Sequence, residues 1–202
     1  DEFKRFRGYG VPPEKNGDYA FLLHIIASLK STGKGAVILP HGVLFRGGAE
    51  GEIRKNILQR KLIKGIIGLP ANLFYGTGIP TSILVFKKCR EIDEDILFID
   101  ASSQFEKQKT QHVLLPIHID KIIDTYRDRI AEDKFSYRAT LQEIKDNDYN
   151  LNIPRYVDTF EATESIDLIA ISNELKELEK DIINTDKTIA DFCKQLNIQT
   201  PF

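Results

Sequence analysis

Two loop segments hold residues whose types suit ligand binding. The first, LPHGVLFR at residues 39–46, follows a short apolar run, and the second, LPANLFYGTGIP at residues 69–80, follows another. Ligands of open α/β sheets bind in loops at the carboxyl ends of strands. Phe74 and Tyr75 stand side by side in the second segment, and exposed loop aromatics can stack on a flipped or unpaired base. The sequence leaves open whether Phe74 stacks on a base or packs beneath its own loop.

Basic side chains follow the first segment. We take Arg54, Lys55, Arg60 and Lys61 as candidates for phosphate contacts, because Lys and Arg supply most of the affinity of proteins for nucleic-acid backbones. Ordinary solvated charges are the alternative. The glycine-rich stretch 47–51 could present backbone N–H groups to an anion, although a flexible turn is the simpler interpretation.

Self-contained catalysis is not indicated by the sequence. The chain has no HExxH, GxSxG, P-loop or EF-hand pattern. The histidines at positions 24, 41, 112 and 118 lack a shared ligand spacing, so we predict no metal site. No residue of this chain is therefore given a catalytic role.

The elements that position these loops alternate between helical and strand-like patterns. We predict helices at 19–30 (with Asp18 as N-cap), 50–60, 117–130 and 139–145, and strands at 36–40, 62–69, 81–87 and 96–100. An acidic turn at 91–95 precedes the last strand, and the polar stretch 101–115 is predicted to be mobile. Strands separated by helices indicate the α/β class with a largely parallel sheet.

The C-terminal part carries a heptad pattern. Its seam residues are spaced alternately four and three apart: Ile171, Leu175, Leu178, Ile182, Thr185, Ile189, Phe192 and Leu196. A seam this narrow is typical of a helix that pairs with another helix. Packing back onto its own domain is the alternative. Thr185 weakens the seam but can set its register.

Composition and charge indicate a globular chain with two unlike parts. The 202 residues are 42% hydrophobic and 29% charged, which argues against intrinsic disorder. The apolar runs are too short to cross a bilayer, and two cysteines without CxxC spacing suit a cytoplasmic protein. Residues 1–157 carry a net charge of +4 and residues 158–202 one of −6, which predicts two domains. The chain starts at Asp1 and has no methionine, so we expect part of a longer protein.

Six segments resemble, in order, the modification (M) subunit of type I restriction-modification systems. They are DYAFLLH (18–24), VILPHGVLFRGG (37–48), IIGLP (66–70), LFYGTGIP (73–80), LFIDAS (97–102) and YNLNIPRY (149–156). Such subunits are S-adenosylmethionine-dependent DNA adenine-N6 methyltransferases. The resemblance implies the later half of a Rossmann-like methyltransferase sheet, with strand 81–87 antiparallel between strands 36–40 and 62–69. A long C-terminal helix completes the expected fold.

The same resemblance implies that the catalytic machinery lies elsewhere. In this family the glycine-rich cofactor motif and the Asn-Pro-Pro-Phe tetrad precede the segment that matches residues 18–24, and neither is found here. Pro12-Pro13 is not that tetrad, because it has no Asn before it and no aromatic residue after it. S-adenosylmethionine is therefore expected for the parent protein, and this chain alone is expected to be inactive.

Site and partner expectations follow from the resemblance. The loops 40–48 and 70–80 would face DNA and the target base, with contact candidates Pro40, His41, Phe45, Arg46, Phe74, Tyr75 and Thr77. The C-terminal helix resembles the part of the M subunit that bundles with the specificity subunit; a restriction subunit completes such complexes. A homodimer through the exposed seam is a further possibility. The alternative function is a non-catalytic assembly module that binds a helical partner.

Overall fold

The computed structural model describes residues 2–89, 95–159 and 167–201. It divides into two compact units, Asp1–Phe160 and Glu161–Phe202, which are described separately below. Most of the predicted acidic turn, residues 91–94, lies outside the described residues.

The first unit is built on a five-stranded sheet. In chain order its strands are β1 (Lys34–Pro40), β2 (Ile63–Gly68), β3 (Thr81–Lys87), β4 (Ile96–Asp100) and, after the short pair β5 (Glu106–Lys107) and β6 (His112–Val113), β7 (Ser136–Ala139). The spatial order is β1-β3-β2-β4-β7. β3 pairs antiparallel with both β1 and β2, whereas β2 and β4 are parallel. The α/β class and the position of the antiparallel strand between β1 and β2 are confirmed.

Helices connect and cover these strands. They are α1 (Asp18–Ser28), α2 (Gly48–Gln59), α3 (Pro116–Asp128) and α4 (Leu141–Asp146), with 3₁₀ turns at His41–Leu44 and Ile153–Arg155. The predicted N-cap of α1 is wrong by one residue. Gly17 occupies the cap position without a side-chain bond, and Asp18 is the first helical residue. The Asp18 carboxylate accepts a hydrogen bond from Arg46 Nη2 at 2.6 Å.

The core lies on both faces of the sheet because alternate strand residues point in opposite directions. Ile66 and Phe98 belong to the larger cluster, into which Leu22 of α1 and Ile57 of α2 also pack. Their chain neighbours belong to a second cluster together with the α3 and loop residues: Ile67, Leu97, Ile99, Ile122 and Phe135. Two apolar faces explain why β2 and β4 are almost continuously apolar in sequence.

Two features differ from the sequence expectations. β7 was not predicted, and it pairs antiparallel with β4, so the sheet has a second antiparallel strand. Three of its four neighbouring pairs among the described strands are antiparallel, and the expectation of a largely parallel sheet is wrong. The four residues of β7 include exposed Tyr137 and Arg138, which leaves too short an apolar pattern to recognise. The predicted helix at 139–145 accordingly begins only at Leu141, where the Thr140 side chain accepts a hydrogen bond from the Glu143 amide at 3.2 Å.

The polar stretch 101–115 contains a β-hairpin that the sequence did not predict. The strands β5 and β6 pair antiparallel, with Glu106 opposite Val113 and Lys107 opposite His112. Two-residue strands of mostly polar side chains give no periodic signal, so sequence reasoning could not separate this hairpin from a mobile loop. We refer to residues 105–113 as the hairpin.

The second unit is dominated by one helix, α5 (Leu168–Leu196), of 29 residues. The Asp167 side chain caps its first turn by accepting hydrogen bonds from the amides of Ile169 and Ala170 at 2.9 and 3.0 Å. Asn197 ends it in the left-handed conformation, with φ of 57°. Across the described ranges of the chain, no helix is both long and apolar enough to span a membrane.

Candidate nucleic-acid interface

Three strands bring the candidate loops to one edge of the sheet. β1 and β2 both run antiparallel to β3, and β4 runs parallel to β2, so the carboxyl ends of β1, β2 and β4 coincide. We call residues 40–48 the first loop and residues 70–80 the second loop. The His41 amide donates to the Pro80 carbonyl at 3.3 Å, which joins the two loops directly. The fold therefore assembles two segments that the sequence predicted separately.

The first loop starts at Pro40, the last residue of β1, and continues as a 3₁₀ turn. Val43 and Leu44 are fully buried and anchor the turn in the core, whereas Phe45 is 46% exposed. The His41 ring is half-buried, and burial lowers its pKa from the ordinary value. Its Nε2 atom is buried without a hydrogen-bond partner among the described residues. Of these residues, Phe45 is the one that the structure leaves open to a ligand.

Arg46 is held by two carboxylates at the end of the first loop. Its Nη2 lies 2.6 Å from Asp18 Oδ2, and its Nε lies 3.0 Å from Glu50 Oε2. Burial raises the pKa of Glu50, and the nearby Arg46 guanidinium opposes that shift. Because two acidic groups share its charge, Arg46 joins α1 to α2 rather than presenting a free cation.

Most of the glycine-rich stretch 47–51 is helical, because α2 begins at Gly48. The interpretation as a flexible turn is therefore wrong for residues 48–51. Glu50 lies in the first turn of α2 and pairs with Arg46, and an acidic group in a first turn already matches the helix dipole. Anion binding at this helix N-terminus stays a prediction.

The prediction that Arg54 contacts phosphate is wrong. It is only 5% exposed. Its guanidinium donates to the carbonyl oxygens of Tyr149 at 2.8 Å, Arg46 at 2.8 Å and Val43 at 3.2 Å. A sequence signal for this burial existed, since Arg54 precedes Ile57 and Leu58 by three and four residues and so shares the apolar face of α2 with them.

The remaining basic candidates lie at the surface of α2 and just beyond it. Arg60 donates to the Gly8 carbonyl at 2.8 Å, and its guanidinium lies 4.0 Å from the centroid of the Tyr9 ring. The Lys55 ammonium lies 5.8 Å from the Tyr149 ring. Lys61 follows in the left-handed conformation, with φ of 55°. Their role in phosphate binding stays a prediction.

The second loop presents both of its aromatic residues. Tyr75 is 89% exposed and Phe74 is 38% exposed, whereas Leu73 packs against the second core cluster. Leu73 thus anchors the loop from below. Thr77 accepts a hydrogen bond from the Ile79 amide at 3.2 Å through its hydroxyl oxygen. Leu73, rather than Phe74, is the residue that packs beneath the loop.

The hairpin supports the second loop from one side, which the sequence analysis missed. His112 Nδ1 lies 2.7 Å from the Ala71 carbonyl oxygen, and the His112 amide donates to the Asn72 carbonyl at 2.9 Å. The Phe105 ring stacks on the His112 ring, with centroids 3.9 Å apart. An open cleft lies between the two segments, lined by Asn72, Phe74, Tyr75, Gly76, Thr77, Thr110 and Gln111. This cleft combines two aromatic faces with uncharged polar groups, which are the groups that bind nucleobases.

The described residues do not group three or more His, Cys, Asp or Glu side chains in a way that could hold a metal ion. The four histidines are instead dispersed: His24 lies on α1, His41 in the first loop, His112 in the hairpin and His118 in α3. His118 accepts a hydrogen bond from the Leu115 amide at 3.2 Å and so closes the first turn of α3.

Comparison with known proteins agrees with this geometry. The N-6 DNA Methylase family model matches residues 1–165. The MpnII methylase subunit of a type I restriction enzyme from Mycoplasma pneumoniae is 33% identical over 194 residues, which cover 94% of this chain and 36% of that protein. The MjaVII methylase subunit from Methanocaldococcus jannaschii is 40% identical over 177 residues, covering 85% of this chain and 30% of that protein.

A solved structure supports the same relationship. The methyltransferase subunit of a type I restriction-modification system from Streptococcus thermophilus is 51% identical, with a TM-score of 0.75, over 77% of this chain and 33% of that one. The chain spans about a third of the length of these relatives. The resemblance to the type I modification subunit is confirmed, and the chain belongs to the N-6 DNA methylase family.

Proposed function

We propose that this chain is part of the DNA methyltransferase subunit of a type I restriction-modification system. The parent protein transfers a methyl group from S-adenosylmethionine to the N6 atom of adenine in DNA. The observation that carries this proposal is the edge of the sheet where the first and second loops meet, with Phe45, Phe74 and Tyr75 exposed on it. The names and extent of the matching relatives support it.

In this proposal the second loop supplies a stacking surface for a base that has left the duplex. Tyr75 and Phe74 both line the cleft beside the hairpin, and stacking on an aromatic side chain contributes about 1–3 kcal/mol per base. Lys55, Arg60 and Lys61 contact phosphates away from this edge, because Arg60 and Lys61 precede β2 and so lie at the opposite end of the strands from the two loops. Pro40, His41 and Thr77 shape the backbone there, and Arg46 holds the first loop in place.

The cofactor belongs to the parent protein. Members of this family use S-adenosylmethionine, and the glycine-rich motif that binds it in the family precedes the segment matching residues 18–24 and is not found in this sequence. We therefore propose that the chain binds the cofactor weakly or not at all without the preceding catalytic half. The parent works in the cytoplasm, where its DNA substrate lies.

The C-terminal unit has a separate role in this proposal. Six apolar seam residues of α5 are exposed: Ile171, Leu175, Leu178, Ile182, Phe192 and Leu196. We propose that this seam joins a helix of the specificity subunit, which selects the DNA site, in a complex that also includes a restriction subunit. An assembly module without a role in catalysis is the second candidate function, and the same seam favours it.

Single substitutions in the parent protein separate the two functions. Phe74→Ala and Tyr75→Ala are each expected to lower methyl transfer to DNA at least tenfold while subunit assembly is retained, and Phe21→Ala, an exposed aromatic residue on α1, serves as the matched control. Leu178→Asp is expected to abolish assembly. Methylation is measured with labelled S-adenosylmethionine and assembly by gel filtration. Normal methylation by both loop variants would leave only the assembly function.

A further inference from the structure

The α5 helix carries an apolar seam whose charged borders have one sign. Taking Leu175, Ile182, Ile189 and Leu196 as the a positions of the heptad places Ile171, Leu178, Thr185 and Phe192 at the d positions. Every residue of α5, Leu168–Leu196, is described by the structure. The e and g positions border such a seam and meet the corresponding positions of a partner helix.

All charged residues at these bordering positions are acidic. Glu179 and Asp186 stand at e positions, and Glu174 and Asp181 stand at g positions. The four lysines of the helix occupy b and f positions, away from the seam: Lys176, Lys180, Lys187 and Lys194. Lys180 is paired locally, with its Nζ 2.8 Å from Glu177 Oε1. The seam is therefore a hydrophobic strip between two negative edges.

The polar residue in the seam is satisfied within its own helix. The Thr185 hydroxyl donates to the Asp181 carbonyl oxygen at 2.8 Å. Thr185 consequently needs no polar residue opposite it, and a partner can be apolar along its whole core. The borders, rather than the core, must then distinguish one partner helix from another.

A second copy of α5 fits this surface poorly in either direction. In a parallel pair g positions face e positions, and in an antiparallel pair e faces e and g faces g, so acidic side chains meet acidic side chains in both cases. Like charges placed opposite each other are destabilising and oppose association. Opposite charges at these positions set partner choice and orientation.

From this arrangement we propose that α5 pairs with a different helix, one whose apolar seam is bordered by Lys or Arg, and not with a second copy of this chain. This inference rests on the proposed partner-binding role of α5 and specifies the chemistry of the partner. The acidic borders supply the specificity, and the exposed seam supplies the buried area.

Two synthetic peptides test the proposal on the full chain. Both are four-heptad helices with the same Leu and Ile core; one carries Lys at every e and g position and the other carries Glu. Fluorescence anisotropy is expected to show at least about tenfold tighter binding of the Lys-bordered peptide. Added salt should narrow the difference, because exposed charges are screened. Sedimentation of the chain alone is expected to show a monomer.

Charge reversal provides the matched control. The double substitution Glu179→Lys with Asp181→Lys is expected to remove or invert the preference, whereas Glu177→Lys with Asp191→Lys makes the same charge change at c positions and should retain it. Circular dichroism verifies that both variants keep their helix. The proposal is overturned if the chain binds the two peptides equally or binds neither. It is also overturned if the control variant changes the peptide preference as much, or if the chain forms a dimer that Leu178→Asp dissociates. Methylation by the parent does not depend on these peptides, so the proposed function is judged separately.

Discussion

The Arg54 guanidinium donates a hydrogen bond of 2.8 Å from its Nε to the carbonyl oxygen of Tyr149, which joins α2 to a segment 95 residues further along the chain. The same side chain satisfies the carbonyls of Val43 and Arg46. One buried cation on α2 thus fixes both the first loop and the segment at Tyr149. A buried polar group without a partner costs about 1–3 kcal/mol, so this arrangement has a measurable consequence.

We predict that Arg54→Met lowers the free energy of unfolding by about 2 kcal/mol or more, because the carbonyls of Tyr149 and Arg46 lose this donor, while that of Val43 keeps the Tyr19 hydroxyl at 2.6 Å. Urea unfolding followed by circular dichroism measures the change. Arg127→Met is the control, since Arg127 is 65% exposed and pairs with Asp124 at the surface, and its effect should stay below about 1 kcal/mol. An equally stable Arg54→Met variant would show that the carbonyls find other donors.

Much of the fold follows from the sequence because its strands and helices repeat apolar residues at the right period. Strand β3 was predicted at its observed bounds, Thr81–Lys87. The predicted ends of α2 differ from the observed ends by at most two residues. The family resemblance placed β3 between β1 and β2. The hairpin and β7 lacked any such period, and pairing with distant segments creates them. In the site, the loop aromatics were predicted from their residue types. Arg54 was judged by its charge, although its helical spacing from Ile57 and Leu58 indicates the buried side of α2. Its carbonyl partners depend on contacts that no local pattern encodes.

Glu50 gives a pH dependence with a defined sign. Burial raises the pKa of Glu50 above its ordinary value of 4.5, so the folded protein holds this proton more tightly than the unfolded chain does. The contribution of Glu50 to the free energy of unfolding is fully present below pH 4.5. It is lost as the pH rises through the pKa of Glu50 in the folded protein. We therefore predict that Glu50→Gln gains stability relative to the unsubstituted protein as the pH rises from about 4 to 7.

Urea midpoints measured at several pH values test this prediction. Glu52→Gln is the matched control, because Glu52 is a neighbouring but exposed residue of α2, and its stability difference should not vary with pH in this way. A difference for Glu50→Gln that is constant with pH would mean that Arg46 fully offsets the burial of the carboxylate.

The hairpin contact predicts a local effect on the second loop. His112→Ala removes the hydrogen bond between the imidazole Nδ1 and the Ala71 carbonyl oxygen, which lie 2.7 Å apart. It also removes the stacking of the imidazole ring on Phe105. We expect amide hydrogen exchange at residues 71–77 to accelerate about tenfold or more, since local opening loses about 1–2 kcal/mol of protection. Exchange in the sheet should be unchanged. His24→Ala, on the exposed surface of α1, is the control, and unaltered exchange in the His112 variant would remove the hairpin as the support of this loop.

The close approach of Gly35 to Phe86 predicts a steric effect in the sheet. A Cβ atom at position 35 would lie 2.5 Å from Cε2 of the Phe86 ring, and that ring is 2% exposed, so it has little room to move. Gly35→Ala is therefore expected to lower the free energy of unfolding by about 1–3 kcal/mol. Gly47→Ala is the matched control, because nothing lies within 4 Å of its Cβ position, and it should change stability by less than about 1 kcal/mol. Equal effects of the two substitutions in urea unfolding would mean that strand β1, where it pairs with β3, shifts to relieve the contact.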